Sequence, residues 1–405
     1  MLRWHTAGES HGDLLIGILE GIPAGLAISE AEIDGYLLRR QGGVGRGTRM
    51  KIERDRAAMV GGVWKGETSG SPIAITIANR SRIPHDRQPR RTVPRPGHGD
   101  FVGMLKHGLD DANPAIERSS ARETAARVAL GAVAHAFLRA FGIGVAGHVV
   151  AIGDARADVP AATRDQDWDA LLEARDASPL YCADPAAEAR MLERIEEASA
   201  RETTLGGIVE VVALGVPPGL GSYAQWDRRI EAGLGRALLS IQSVKGVAIG
   251  DASESVHAFG REAQDEIFWD GGVVRRTNHA GGIEAGVTNG EPVVARAWFK
   301  PISTQRRPLR SVDLDTGEET ECSYVRSDVV VVPAGSVVAE AMVALVLAEA
   351  MLESFGGGHL DDTRAAFDRY LARIPWRQPA LPERLQSPPA PPRPAGADAA
   401  PAEET

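Results

Sequence analysis

Short apolar runs alternate with longer amphipathic stretches along the chain. Val/Ile-rich runs at residues 14–19, 73–78, 143–152, 208–214, 293–299 and 328–332 are flanked by Gly or Pro and have the length of strands. Between them lie helix-start signals. Ser29 with Glu32, and Ser120 with Glu123, fit the pattern in which a hydroxyl and a carboxylate three residues on satisfy free N–H groups of a first helical turn. The first predicts a helix that buries Ile33 and Leu37 and stops at Gly42-Gly43. The second predicts one that runs through Val128 and Val133 to about Phe141, before Gly142. Two more helices are expected at residues 226–240 and 337–354, the latter very apolar and closed by Gly356-Gly357-Gly358. Strands and helices mixed in this way predict an α/β or α+β fold.

Composition narrows the class. The 405 residues, 43% of them hydrophobic, fit one large globular unit or two intimate ones. From Gln378 the chain turns to Pro, Ala and Glu, which bury too little apolar surface to offset ordering, so residues 378–405 are expected to be a disordered tail behind a catalytic domain at 1–377. No basic start followed by an apolar stretch and a small-residue cleavage site opens the chain, and no run reaches the roughly 18 uninterrupted apolar residues of a membrane span. A cytoplasmic protein with no membrane partner is expected. Cys182 and Cys322 stand far apart and outside any ligand spacing, so neither a disulfide framework nor a metal site is indicated. A net charge of −10 speaks against a nucleic-acid partner.

Against that acidic background, the arginines and histidines cluster. Gly8-Glu9-Ser10-His11-Gly12 has the form of the G-x-S-x-G elbow of serine hydrolases, but an elbow needs a strand before and a helix after, and here a strand follows. His11 is the better asset, since an imidazole moves protons near neutral pH. Residues 39–49 form a Gly-rich loop with Arg39, Arg40, Arg46 and Arg49; it has neither the G-K-[ST] ending of a P-loop nor the third glycine of a dinucleotide fingerprint. Glycine lets the backbone approach a ligand, and guanidinium forks take carboxylates and phosphates, so a multiply anionic small molecule is expected. Arg95-Pro96-Gly97-His98-Gly99-Asp100 puts a second histidine in a turn. Glu117-Arg118-Ser119-Ser120-Ala121-Arg122-Glu123 gathers hydroxyls and cations at a helix start, where free N–H groups and the dipole favour a phosphate. Residues 300–305 follow a strand and Arg326-Ser327-Asp328 precedes one, the usual placement of ligand loops.

Taken in order, residues 5–12, the Arg40/Arg46/Arg49 loop, Arg95-Pro96-Gly97-His98, 117–124, 240–247 (Ser-Ile-Gln-Ser-Val-Lys-Gly-Val), 278–283 (Asn-His-Ala-Gly-Gly-Ile) and 300–304 resemble the chorismate synthase family. The resemblance runs from about residue 2 to residue 373. It implies an α+β fold of the β-α-β sandwich type, a homotetramer, and an anti-1,4-elimination of phosphate from 5-enolpyruvylshikimate 3-phosphate. That reaction needs reduced FMN without net redox change. Carried over, His11 would protonate the departing phosphate, His98 would protonate or stabilise the reduced flavin, and Asp328 would support removal of the C6 proton. Arg118, Ser119, Ser120, Gln242, Ser243, Ala285, Lys300, Pro301, Ile302, Ser303, Thr304 and Arg326 would hold FMN. Arg40, Arg46, Arg49 and Arg122 would bind substrate, and Arg40 and Arg46 would also make the family's NADPH contact, NADPH being an indirect reductant. One motif set fills the chain, so a separate flavin reductase would supply reduced FMN. The chain departs from the family at Gly99 for alanine, His107 for tyrosine, Asn113 for an arginine, Ala7 for a frequent phenylalanine, and in an Arg- and Pro-rich segment at 77–93.

Overall fold

A computed structural model of the chain describes residues 2–46, 53–322 and 328–389. Alternation builds the first sheet. Leu15, Gly17 and Leu19 of Leu14–Glu20 turn inward, as do Ile73, Ile75 and Ile77 of Ile73–Ala78, so one face is apolar and the other wet. These two strands pair antiparallel, with Arg3–Ala7 on one side and Ala57–Gly61 on the other. The second sheet is also antiparallel, in the order Val244–Ile249, Val293–Phe299, Gly207–Leu214, Gly144–Ile152, Ala155–Arg156. All nine residues of Gly144–Ile152 are buried, because that sheet is covered on both faces. Trp168 and Leu172 of the helix Trp168–Ala177, together with Leu385, cover Ala146, Val212, Leu214 and Val294 on its outer side.

Helices fill the space between the sheets. Thr124–Arg139 lies on the first sheet, Val332–Phe355 on the second, and the two pack on each other, giving an α+β sandwich of sheet, paired helices and sheet. Glycines set the spacing. A Cβ on Gly17 would meet Leu130 Cδ2 at 2.9 Å, one on Gly131 would meet Ala341 Cα at 2.8 Å, and one on Gly147 would meet the Ser336 carbonyl at 2.5 Å. Val332–Phe355 is apolar enough to cross a membrane, but 89% of its most apolar window is buried inside the protein. Each buried side chain such as Val343, Leu345 or Leu347 contributes roughly 1.5–3 kcal/mol. Buried charges pierce this layer: Arg39 donates to both oxygens of Glu340 at 2.9 and 3.1 Å, and Gly147 N donates to Glu340 Oε2 at 2.8 Å. Burial pushes the neighbouring His135 down to about 4 despite the pull of Glu340, so it is neutral at pH 7.

The expected strands at 14–19, 73–78, 143–152, 208–214 and 293–299 form within a residue or two. The strand expected at 328–332 does not. There Val330 makes only a parallel bridge to Leu205, and the core helix begins at Val332 rather than 337. Pro333 explains this, since in a first helical turn its missing N–H has no partner to lose. The helix expected over 226–240 is a 3₁₀ turn, Trp226–Arg228, followed by Ile230–Leu239. Helix Glu30–Gln41 starts and stops as expected, at Ser29 and Gly42. Gln378, where the expected tail begins, donates from its side-chain amide to the carbonyls of Phe141, Gly142 and Gly215, and a short helix forms at Glu383–Gln386.

The close approach at Gly131 is testable. Alanine there gains about 1 kcal/mol of helix propensity but must displace backbone of the facing helix, a strain of roughly 1–3 kcal/mol, so Gly131→Ala is expected to be net destabilising in urea unfolding. Gly235→Ala, at a helical position with nothing within 4 Å, should instead gain up to about 1 kcal/mol.

Candidate active site

The hairpin joining Arg3–Ala7 to Leu14–Glu20 opens at Gly8, at φ 102°, where a Cβ would fall 2.3 Å from the Leu14 carbonyl. Only glycine fits. Strand, turn and strand replace the strand, elbow and helix of a hydrolase, and Ser10 is buried, accepting a hydrogen bond from the Ser120 hydroxyl at 3.1 Å. His11 follows, half-buried and gripped by Glu117. One oxygen of that carboxyl accepts the His11 backbone N–H at 2.6 Å, and the other lies 2.8 Å from Nδ1. His11 also lines a cavity of about 460 Å³ together with Gly8, Leu14, Ile16, Arg82 and His85.

The second histidine is held in the same manner. His98 Nδ1 lies 2.5 Å from Asp100 Oδ1, while Arg95 donates from Nε to Asp100 Oδ2 at 2.9 Å and from Nη1 to Thr304 Oγ1 at 2.9 Å. Burial would raise the Asp100 pKa, but hydrogen bonds from His98 and Arg95 and the Arg95 charge outweigh it and hold the carboxyl well below its usual range. Lys300 Nζ donates to the Gly97 carbonyl at 2.7 Å, which joins the 300–304 loop to this turn. Gly99, next to His98, lies against the serine segment: a Cβ there would meet Ser119 Cβ at 3.0 Å.

Residues 117–123 are the meeting point. Helix Asn113–Ser119 delivers Glu117 and Arg118, and a 3₁₀ turn, Ala121–Glu123, leads into Thr124–Arg139. Ser120 caps this start by accepting from Arg122 N at 3.3 Å. Glu123 does not close the capping box. It accepts from Thr6 at 2.6 Å, from Arg127 at 2.9 Å and from Gln242 at 3.1 Å, and Arg118 in turn donates to Thr6 at 2.8 Å. Gln242 Oε1 is buried with no hydrogen-bond partner among the described residues, and Ser243 beside it sits at φ 72°, in the left-handed region that favours glycine. An acceptor without a donor and a strained backbone are both marks of a ligand site.

Three of the arginines expected to bind substrate form one cluster. Arg122 donates to Asp55 at 2.6 Å and to Asn79 Oδ1 at 2.9 Å; Arg40 donates to Thr124 Oγ1 and the Ala121 carbonyl, each at 2.9 Å; Arg46 pairs with Asp328 at 2.8 Å. Burial pushes Arg40 down to about 10, opposed by Asp55 and aided by the charges of Arg122 and Arg46, and it remains cationic at pH 7. Arg40 and Arg122 are both buried, at 4% exposure. Arg49 and Arg326 lie outside the described residues. Ala285 stands at φ 51° beside the start of another helix. Gly286, next to it, bonds the N-terminus of Ile230–Leu239, whose far end precedes Gln242, a helix length of about 15 Å away. Sequence reasoning did not assign Glu117, Asp100, Arg95, Asp55, Asn79 or Glu123. The signal available was position: Glu117 adjoins Arg118, and Asp100 stands two residues after His98. Asn113, standing where the resemblance expects arginine, donates to the Pro89 carbonyl at 2.8 Å and so braces the Arg- and Pro-rich segment.

A two-sheet sandwich with two carboxylate-held histidines, and with serine hydroxyls and buried arginines at its inner helix start, is the framework of an enzyme for a small-molecule substrate. The sequence profile of chorismate synthase matches residues 2–352. Chorismate synthases of Symbiobacterium thermophilum and Mycolicibacterium smegmatis are 48% and 50% identical, over 93% and 94% of this chain and 100% and 99% of theirs. A crystal structure of chorismate synthase superposes with a TM-score of 0.74 at 39% identity, over 92% of this chain and 97% of that one. The chain belongs to the chorismate synthase family.

The Asp100 clamp predicts a pH dependence. Its folded pKa lies below the unfolded value near 4, so the stability it contributes is full above that value and is lost as pH falls. Between about pH 4 and 3, the unfolding free energy of the wild type should fall more steeply than that of Asp100→Asn, by up to about 1.4 kcal/mol per pH unit. Urea unfolding from pH 6 to 3 measures both slopes, and equal slopes would refute the clamp.

Proposed function

We propose that the chain converts 5-enolpyruvylshikimate 3-phosphate into chorismate by anti-1,4-elimination of phosphate, with reduced FMN as cofactor, as the last step of the shikimate pathway to the aromatic amino acids. The observation that carries this reading is the delivery of both histidines to residues 117–120, His11 through Glu117 and His98 through Gly99. His11 is held there by Glu117, and the turn that carries His98 lies against Ser119, at a helix start with buried Arg40 and Arg122 beside it. The substrate has two carboxylates and a phosphate. Such a ligand suits a cationic pocket in a protein that is acidic overall.

In the reaction the C3–O bond to phosphate and the C6–H bond break, and a new double bond forms, without net oxidation. His11 gives a proton to the departing phosphate. Asp328, oriented by Arg46, supports removal of the C6 proton, while Arg40, Arg46 and Arg122 supply the positive potential that holds the substrate's charges. Arg118, Ser119, Ser120, Gln242, Ser243 and the loop from Lys300 to Thr304 would hold FMN, the buried Gln242 oxygen being suited to a ring N–H donor. When bound there, reduced FMN would supply a transient electron, which suits a poorly acidic C6 hydrogen and a remote leaving group. His98, fixed by Asp100 and Arg95, holds a proton for the reduced cofactor. The same reading carries a cytoplasmic homotetramer. It also carries a separate flavin reductase, which draws on NADPH and provides the reduced FMN.

An anaerobic assay tests it: protein, dithionite-reduced FMN and 5-enolpyruvylshikimate 3-phosphate are mixed, and chorismate absorbance and phosphate release are followed. Turnover should require reduced flavin and fall roughly 10²- to 10⁴-fold in His11→Ala and in Asp328→Ala. Flavin and substrate binding without turnover would instead mark a scaffold that has lost its chemistry.

A further inference from the structure

We infer that Glu117 is a positioning residue that acts through His11, fixing which ring nitrogen carries the exchangeable proton. The inference rests on the reading of His11 as proton donor. Three observations lead to it. The Glu117 carboxyl spans the backbone N–H and the Nδ1 of one residue, at 2.6 and 2.8 Å, so it locks main chain and ring together. It is buried, with a side-chain exposure of 7% against 26% for the imidazole, so solvent competes weakly for the contact. Its backbone is held as well, since the Glu117 carbonyl accepts from Ser10 N at 3.2 Å.

The chemistry follows from the inventory of donors. A carboxylate only accepts, so Nδ1 facing it must carry a hydrogen, and Nε2 becomes the nitrogen that exchanges a proton with a ligand in the cavity that His11 lines. When His11 is doubly protonated the adjacent carboxylate balances the imidazolium; when Nε2 gives up its proton to the leaving phosphate, Nδ1 keeps its own and the ring is left as a single neutral tautomer. A helix carboxylate thus does for this hairpin histidine what Asp100 does for His98, by a contact between elements instead of within one turn.

The test is a double-mutant cycle on the full chain. Glu117→Gln keeps the size of the side chain but can donate to Nδ1 and so favour the wrong tautomer. With reduced FMN and 5-enolpyruvylshikimate 3-phosphate it should lower kcat roughly 10- to 100-fold, part of the 10²–10⁴ that acid–base catalysis supplies, with KM within about twofold. Glu117→Asp, which keeps the charge, should recover part of the loss. In a His11→Ala background the same Glu117→Gln change should cost nothing further, because the group it acts through is gone. An equal loss in both backgrounds, or an unchanged kcat, overturns the inference. The ¹⁵N histidine spectrum gives a second readout that needs no turnover: the resonance absent from His11→Ala should show hydrogen on Nδ1 in the wild type and redistribute in Glu117→Gln. A wild type with that tautomer and no turnover would sink the proposed reaction while leaving the positioning intact, whereas turnover with hydrogen on Nε2 alone would sink the positioning.

Discussion

The packing of helix Thr124–Arg139 is the constraint on which the rest of the structure depends. It is pressed on one side by the first sheet, where Leu130 sits over Gly17, and on the other by the core helix, where Gly131 meets Ala341 with no room for a methyl group. A helix held so closely on both sides cannot slide or roll, because either motion drives side chains into backbone. Its N-terminal end is therefore fixed in space. That end carries Ser120, Arg122 and Glu123, and through hydrogen bonds to it the first hairpin, the 79 position and Gln242 find their places.

Electrostatics completes what packing begins. The protein carries a net charge of −10, yet its candidate site rests on guanidinium groups. Four of the described ones are tied to a carboxylate: Arg122 and Arg40 to Asp55, Arg46 to Asp328, Arg95 to Asp100. Buried pairs of this kind add little net stability, since desolvation offsets most of the attraction. What they provide is orientation. A charge fixed in a low-dielectric interior needs no rearrangement to act on a neighbouring charge.

The helix-start signals show how local rules are reused by tertiary structure. Ser29 and Ser120 both cap as their positions predict, but neither partner glutamate closes its box. Glu32 pairs with Arg139 and Glu123 gathers Thr6, Arg127 and Gln242, so each carboxylate joins two elements instead of satisfying one N–H. A charge-assisted contact between elements is stronger than one more bond to a backbone donor that water can reach. Ser243 and Ala285, both at positive φ, show the opposite outcome: the sequence raised them together, and the fold sets them at opposite ends of a helix.

Sequence by itself determined the strands at 14–19, 73–78, 208–214 and 293–299, the helix from Ser29 to Gly42, and which segments bear histidine and arginine. These depend on periodicity, caps and composition, which act within a few residues. It did not determine that residues 328–332 would leave the sheet for a helix start, that Gln378 would anchor the chain beyond it, or that Arg40 and Arg122 would lie under the site instead of lining it. Nor did it reveal Glu117 behind His11, a pairing across 106 residues. Which carboxylate meets which imidazole, and which cation is covered, was decided only when two sheets closed over the helices. Those contacts are set by packing between distant segments, for which one sequence read locally holds no distance.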